Sequence, residues 1–161
     1  MTIDLSAVLP AVLQRLCDME KAVYPGSDAV PVHFYAQEAT PYWTNRFDGF
    51  TITDTSIDYQ SAIYRITATL VLASVTEGYD QQAETMIQTW LPVVLLYFGQ
   101  RRQLKRTVAD AALDFLGADG ASITGGQADY GIPASTAGQS MFGIDFTFEI
   151  PMDLPTDQVI F

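Results

Sequence analysis

Residues 57–99 read IDYQSAIYRITATLVLASVTEGYDQQAETMIQTWLPVVLLYFG, and this stretch decides the fold. Its first part, from Ile57 to Val75, alternates apolar and polar residues at a period of two. One face carries Tyr64, Ile66, Ala68, Leu70 and Leu72. This alternation predicts one long strand whose apolar face lies on the core. Because strands usually have about five or six residues, we expect this one to project past its domain or to bend at a bulge.

The second part, from Tyr79 to Phe98, changes to a helical period. Its apolar residues, three or four positions apart, are Tyr79, Ala83, Met86, Ile87, Trp90, Val94 and Phe98. This stripe predicts a long central helix. Pro92 removes a helical hydrogen bond, so we expect a kink or a restart there. Residues 91–98 are apolar on all sides, which indicates either a buried half of the helix or a side that contacts another subunit.

The chain of 161 residues has the length of one domain, and we assign residues 1–161 to a single domain. Its content of 48% apolar and 12% aromatic residues argues against disorder. The net charge of −11 disfavours nonspecific binding to nucleic acid or to an anionic membrane. The N-terminus lacks the basic start of a signal peptide, and residues 91–98 are too short to span a bilayer. We therefore expect an intracellular protein without membrane contact.

The N-terminal stretch predicts a helix that packs on the sheet. Its helical stripe consists of Leu5, Val8, Leu9, Val12, Leu13, Leu16, either Met19 or Glu20, and Val23. Asp4 has the side chain of an N-cap, and Pro25-Gly26 would end the helix. Pro10 lies inside the pattern, so the helix either kinks there or starts later than Asp4. Cys17 is the single cysteine and lies on this helix, which excludes a disulfide within the chain.

A loop and a further strand are predicted ahead of the long strand. Residues 37–49 contain turn formers, and we expect a loop that exposes Tyr42, Trp43 and Phe47. Such aromatic side chains are common at contact surfaces, although a loop of this kind can also fold back as a lid over the core. Residues 50–57 alternate as a strand, and the turn formers at 54–56 would join it to the long strand as a hairpin.

The composition changes after the central helix. A short helix is predicted over 107–116, and residues 117–140 then hold six of the eleven glycines. We interpret 117–140 as a glycine-rich loop or arm, with short strands over 122–124 and 129–132 around a turn at Gly125-Gly126.

The last clear element is a strand over 141–150, with alternating Phe and Ile on one face. Pro151 and Pro155 would stop it, and the apolar residues 159–161 would fold back or contact a neighbour. The whole order predicts an α+β fold: a mostly antiparallel sheet flanked by an N-terminal helix and a long central helix, with a glycine-rich arm or hairpin.

A basic cluster follows the central helix. Residues 101–106 read RRQLKR and contain Arg101, Arg102, Lys105 and Arg106, half of the eight positive charges in the chain. These cations have two structural interpretations, contact with the helix C-terminus and pairing with the protein's own carboxylates. The functional interpretation is a docking surface for an acidic neighbour, including an identical subunit. DNA binding is disfavoured because no aromatic stacking platform is interleaved and the remaining surface repels phosphate.

Motifs of the common catalytic and cofactor sites are missing from the sequence. It contains no phosphate-binding glycine loop, no dinucleotide fingerprint, no H-E-x-x-H and no C-x-x-C. His33, in a short strand predicted over 30–36, is the only histidine, and no cysteine lies near it to complete a metal site. We therefore expect no enzyme activity, no cofactor and no metal. A carboxylate-based enzyme is the remaining catalytic alternative.

Three segments follow the N-terminal helix and strands in order: EGYDQQAETMIQTWLPVVLLYFGQRRQL, GADGASITGGQADYGIP and FGIDFTFEIPMDLP. This order and texture resemble the small tail terminator or tail-completion proteins of tailed bacteriophages. The resemblance covers most of the chain and includes no diagnostic motif. It implies an α+β domain that assembles into a ring, usually a hexamer, which caps the tail tube and joins it to the head connector.

The resemblance also implies the partners and the location. They would be identical subunits, the tail tube protein and the head connector or neck proteins, in a virion assembled in the host cytoplasm. DNA would pass through the acidic channel without specific binding. Head-to-tail rings need two different faces on each subunit, and the interface residues we assign are Arg101, Arg102, Lys105, Arg106, Tyr42 and Trp43. Another neck or head-completion protein and a non-viral protein-binding module are the alternatives.

Overall fold

The computed structural model describes residues 3–24, 27–30, 41–74, 80–104, 115–133, 140–155 and 159–160. Seven strands and two helices follow one another in the order β1 (Ile3–Asp4), α1 (Val8–Val23), β2 (Asp28–Val30), β3 (Tyr42–Thr55), β4 (Tyr59–Ser74), α2 (Asp80–Gly99), β5 (Ser122–Pro133), β6 (Ser140–Pro155) and β7 (Val159–Ile160). Four long antiparallel strands and two helices make this an α+β fold, so the predicted class is confirmed.

Strand β4 lies at the centre of a five-stranded sheet with the order β2-β3-β4-β6-β5. It pairs with β3 on one side and with β6 on the other, from Tyr59 to Ser74. The long strand and its hairpin with β3 are therefore confirmed, and the expected bulge lies between Val71 and Ala73. Strand β2 joins β3 in parallel over three residues, while β1 and β7 form a separate parallel pair. That pair folds the C-terminal apolar segment back onto its own chain.

Both helices cover the same face of the sheet. The apolar stripe of α1 and the buried side of α2 pack against alternate residues of β4 and β6, because period-two alternation turns those side chains to one face. The main core contains Val12, Leu16, Met19, Trp43, Ile66, Leu70, Ile87, Val94, Phe98, Phe142, Phe146, Phe148 and Ile150. Tyr24 stacks on Trp90 with ring centroids 3.9 Å apart, and this contact connects the end of α1 to α2.

Helix α1 begins later than Asp4, and this is the second of the two alternatives that Pro10 left open. A 3₁₀ turn at Leu5–Ala7 precedes the helix, and Asp4 lies in β1, so the N-cap assignment of Asp4 is wrong. Pro10 is the third residue of α1, where the helix leaves its backbone N–H groups without partners. A proline at that position costs no hydrogen bond, and no kink is needed. Residues 25–26 lie outside the described part of the chain.

The glycine-rich segment does not turn at Gly125-Gly126. Strand β5 runs from Ser122 to Pro133 and pairs with β6 across both glycines. A Cβ built on Gly126 would overlap the carbonyl oxygen of Asp145 on β6. Glycine at this position therefore permits close approach of the two backbones. Residues 134–139 lie outside the described part.

Strand β6 continues past Pro151 to Pro155, so Pro151 does not stop it. The Pro151 carbonyl accepts a hydrogen bond from the Gly117 N–H at 2.9 Å, on the side away from β4. In an antiparallel strand, the backbone nitrogen and the carbonyl of one residue point to the same side, so the nitrogen of Pro151 also points away from β4. The missing N–H of Pro151 therefore costs no hydrogen bond with β4.

Helix α2 is continuous from Asp80 to Gly99 with Pro92 inside it, so the helix does not restart there. Two further sequence predictions concern residues outside the described part of the chain. The short helix predicted over 107–116 lies almost entirely outside the described residues, which resume at 115. His33 and most of the strand predicted over 30–36 also lie outside them.

Candidate interaction surfaces

The residues assigned to the interface from sequence divide into two groups in the structure. Arg101 and Arg102 are exposed in the turn after α2, whereas Lys105 and Arg106 lie outside the described residues. Tyr42 and Trp43 are 1% and 0% exposed. The expectation that a loop exposes these two side chains is therefore wrong, because β3 begins at Tyr42 and pairs with β4. These two side chains stabilise the domain itself and present no contact surface. Phe47 is exposed as expected, and residues 37–40 lie outside the described part of the chain.

Four contacts fix the backbone of residues 101–104, which we call the basic turn. The Leu104 N–H donates to the Arg101 carbonyl at 3.0 Å, and the Ala121 N–H donates to the Arg102 carbonyl at 2.6 Å. The Leu104 carbonyl accepts from Arg15 Nε on α1 at 2.5 Å, and Gln103 Nε2 donates to the Ala118 carbonyl. The basic turn therefore holds its two arginines in defined positions on the surface.

The two arginines of the basic turn have no carboxylate partner among the described residues, whereas Arg46 pairs with Asp48. Arg101 donates to the Tyr97 carbonyl at 3.2 Å and stacks over the Tyr97 ring at 4.0 Å. It therefore interacts with the helix C-terminus, as one of the two structural interpretations proposed. Neither contact neutralises its charge, so both arginines are available to an acidic neighbour.

The β3–β4 hairpin carries an exposed apolar surface. The length of the long strand predicted a projection past the domain, but sequence reasoning did not combine its side chains with Phe50 and Ile52 into one surface. We call residues 46–60 the hairpin extension; all of them are exposed except Gly49, which is half-buried. Phe47, Phe50 and Ile52 pair with Ile66, Tyr64 and Ala62 of β4, so all three lie on the helix-covered face of the sheet. They are nevertheless 43%, 58% and 44% exposed, because neither helix reaches this part of the hairpin.

Strand length is the sequence signal that accounts for this surface. The 16 residues of β4 extend about 50 Å at strand rise. The 20 residues of α2 extend only about 30 Å at helical rise. Two helices on one face therefore leave the far end of the hairpin uncovered, and its apolar alternation continues there.

A second apolar surface lies along α2. A groove with a volume of about 420 Å³ separates α2 from β5, and we call it the α2 groove. Its floor contains Ile144 and Phe146, and one wall contains Leu91 and Leu95, which are 37% and 42% exposed. The other wall is the Thr124–Ala128 part of β5, the edge strand of the sheet.

The α2 groove continues to the basic turn. A second cavity of about 380 Å³ shares Leu95 and Ile123 with the first and extends to Arg102. One end of this surface is therefore apolar and the other end is cationic. Leu96, 63% exposed, lies on the outer side of α2.

The most unusual ionisable group is buried between α1 and β3. Glu20 is 0% exposed, and its Oε1 accepts a hydrogen bond from Asn45 Nδ2 at 2.7 Å. Its Oε2 has no hydrogen-bond partner in the part of the chain that the structure describes. Burial raises the pKa of Glu20 well above its usual value, and burial also raises the pKa of the nearby Cys17 thiol to about 12. This environment stabilises a neutral carboxyl group and an unreactive thiol.

A pair of acids on neighbouring strands is the nearest approach to catalytic geometry. Asp129 of β5 and Asp145 of β6 interact, and burial together with this neighbour raises the pKa of Asp129. Asp145 already accepts hydrogen bonds from Thr69 Oγ1 and Gln127 Nε2. Within the described ranges, no group of three or more His, Cys, Asp or Glu residues is placed to hold a metal ion.

Neither described helix has the combination of length and apolar character that crossing a bilayer requires. No model of a known protein family matches the chain, and comparison with curated proteins also found no match.

Proposed function

We propose that this chain is a virion structural protein, a tail terminator that forms a ring, caps the tail tube and joins it to the head connector. The observation that carries the proposal is that one chain exposes two unlike apolar surfaces, the hairpin extension and the α2 groove. Monomeric domains rarely leave several large apolar side chains exposed together unless a partner covers them. Two unlike surfaces on one subunit allow head-to-tail association, which closes into a ring when the rotation permits.

The proposed partners are identical subunits in a ring, usually a hexamer, with the tail tube protein and the head connector at its two ends. DNA would pass through the ring without specific binding, since the chain has a net charge of −11. We propose no catalytic activity and no cofactor. The arginines of the basic turn would contact an acidic surface of a neighbouring subunit or of the tail tube.

Charge reversal of Arg101 and Arg102 tests this assignment. The Arg101→Glu/Arg102→Glu double variant should remain folded, because both side chains are exposed, and should lose assembly into rings. Size-exclusion chromatography with light scattering measures the assembly, and circular dichroism measures the fold. Arg101→Glu and Arg102→Glu are also prepared as single variants. The control for each is Lys21→Glu, which makes the same charge change at an exposed position of α1. Rings of unchanged stability in the double variant would reject a role for the basic turn.

A protein-binding module is the second candidate, and the α2 groove is the observation that favours it. Its volume of about 420 Å³ lies within the range of small-ligand pockets, and its floor is apolar. This candidate predicts a monomer or dimer at every concentration, with one groove for one partner. The mass of the protein in solution therefore separates the two candidates.

A further inference from the structure

We infer that the hairpin extension of one copy of this chain binds in the α2 groove of a second copy. This inference deepens the proposed function, on which it rests for the identity of the occupant. It adds which two surfaces meet and which residues make the contact.

The two surfaces match in apolar character. Phe50 and Ile52 lie two residues apart on one face of a strand, so their side chains are separated by about 7 Å along it. Leu91 and Leu95 lie one helical turn apart, about 6 Å along α2. Both pairs of side chains are partly exposed to solvent. Docking them would remove both apolar surfaces from water in one contact.

The two surfaces also match in charge. Beyond Ile52, the hairpin extension carries Asp54 and Asp58 on either side of its exposed turn. Neither carboxylate has a cationic partner among the described residues. Beyond Leu95, the α2 groove ends at Arg102, beside Arg101. Each surface therefore lacks the counter-charge that the other one carries.

On both sides the charged part follows the apolar part within a short distance. The turn at Ser56 lies four residues beyond Ile52, about 13 Å of extended strand. Helix α2 continues from Leu95 to Gly99, about 6 Å at helical rise, and Arg102 follows three residues later in the basic turn. Phe50 and Ile52 can therefore lie against Leu91 and Leu95 while the acidic turn reaches the basic turn. In this arrangement Ile57, 94% exposed at the tip, lies beside the cavity at Gly99 and Ile123.

Cysteine cross-linking in the full chain tests the contact directly. Ile52→Cys and Leu95→Cys are prepared as two single variants at partly exposed positions. Because the surfaces are unlike, an oxidised equimolar mixture should give a covalent dimer, while each variant alone should give almost none. A variant that carries both Ile52→Cys and Leu95→Cys should give a ladder of covalent oligomers. Cys17 should contribute no background, since its thiol is buried and burial raises its pKa to about 12.

The matched control is Thr51→Cys mixed with Leu95→Cys. Thr51 is exposed and adjacent to Ile52 on β3, but it lies on the opposite face of the hairpin. This mixture should give much less dimer than the mixture with Ile52→Cys. As a second readout, Ile52→Asp should weaken association of the otherwise unchanged protein by at least about tenfold, because it places a charge at an apolar contact.

The outcomes separate this contact from the proposed function. Rings of the unaltered protein without the selective cross-link would overturn the contact and leave the ring intact. A selective cross-link together with open chains instead of rings would support the contact and overturn the terminator ring. A protein that stays monomeric at every concentration and gives no cross-link would overturn both.

Discussion

The ionisation of Glu20 is linked to the stability of the domain. Its carboxyl group is fully buried between α1 and β3, and burial raises its pKa. The folded protein therefore binds a proton that the unfolded chain releases above a pH of about 4.5. The contribution of this group to stability is fully present below that pH. It is lost progressively as the pH rises toward the raised pKa of the folded state.

We predict that Glu20→Gln removes this pH dependence. Glutamine keeps the shape of the neutral acid and its acceptor for Asn45 but has no proton to lose. Compared with the unaltered protein, the variant should gain up to about 1.4 kcal/mol of unfolding free energy per pH unit above pH 4.5, until the raised pKa is reached. Urea denaturation at several pH values measures this difference. Glu84→Gln at an exposed position of α2 is the control, and an equal slope in both variants would contradict the prediction.

Residue-scale prediction from sequence failed most clearly at Tyr42 and Trp43. Asn45, Asp48 and Gly49 follow them, and these turn formers indicated a loop. In the fold, Asn45 is buried and donates to Glu20, while Asp48 accepts from Thr67 Oγ1 and forms an ion pair with Arg46. Glu20 and Thr67, which are distant in sequence, therefore bond polar side chains that local propensity assigned to a turn.

At the scale of elements, the edge strand β5 differs most from its sequence signal. Glycine lowers strand propensity, so 117–140 suggested a loop or arm. Pairing with β6 overrides this preference, because the β6 strand is long, regular and apolar on its inner face. By contrast, the N-terminal helix and the β3–β4 hairpin were predictable, since their periodicity extends over many residues.

Gly125 and Gly126 offer a matched test of this strand. A Cβ on Gly126 would collide with the backbone of Asp145, whereas a Cβ on Gly125 would meet no atom within 4 Å. Gly126→Ala should therefore lower the free energy of unfolding by about 1–3 kcal/mol. Gly125→Ala should change it by less than about 1 kcal/mol, in the stabilising direction, because alanine restricts the unfolded chain.

Chemical denaturation of both glycine variants measures the two effects. If the two glycines formed a turn at the tip of a hairpin or lay in an unpaired arm, the substitutions would have similar effects. Equal stability changes would therefore argue against continuous pairing of β5 with β6.

At the scale of the whole molecule, the fold explains why exposed apolar surface remains. Two helices of 16 and 20 residues cannot cover strands of 14 and 16 residues along their full length. The basic cluster at 101–106 was visible in the sequence as a departure from an acidic chain. The α2 groove was not, because Leu91, Leu95, Ile123 and Phe146 come together only through the pairing of β5 with β6.

The most direct test of self-assembly is the mass of the purified protein in solution. Sedimentation velocity across concentration and salt, with negative-stain images of the same samples, measures both mass and shape. We predict rings, or a monomer that forms rings as its concentration rises, with assembly weakened by salt because the contact includes unlike charges. A strictly monomeric protein at every concentration, with its α2 groove open to a different partner, would contradict the proposed ring and favour the protein-binding module.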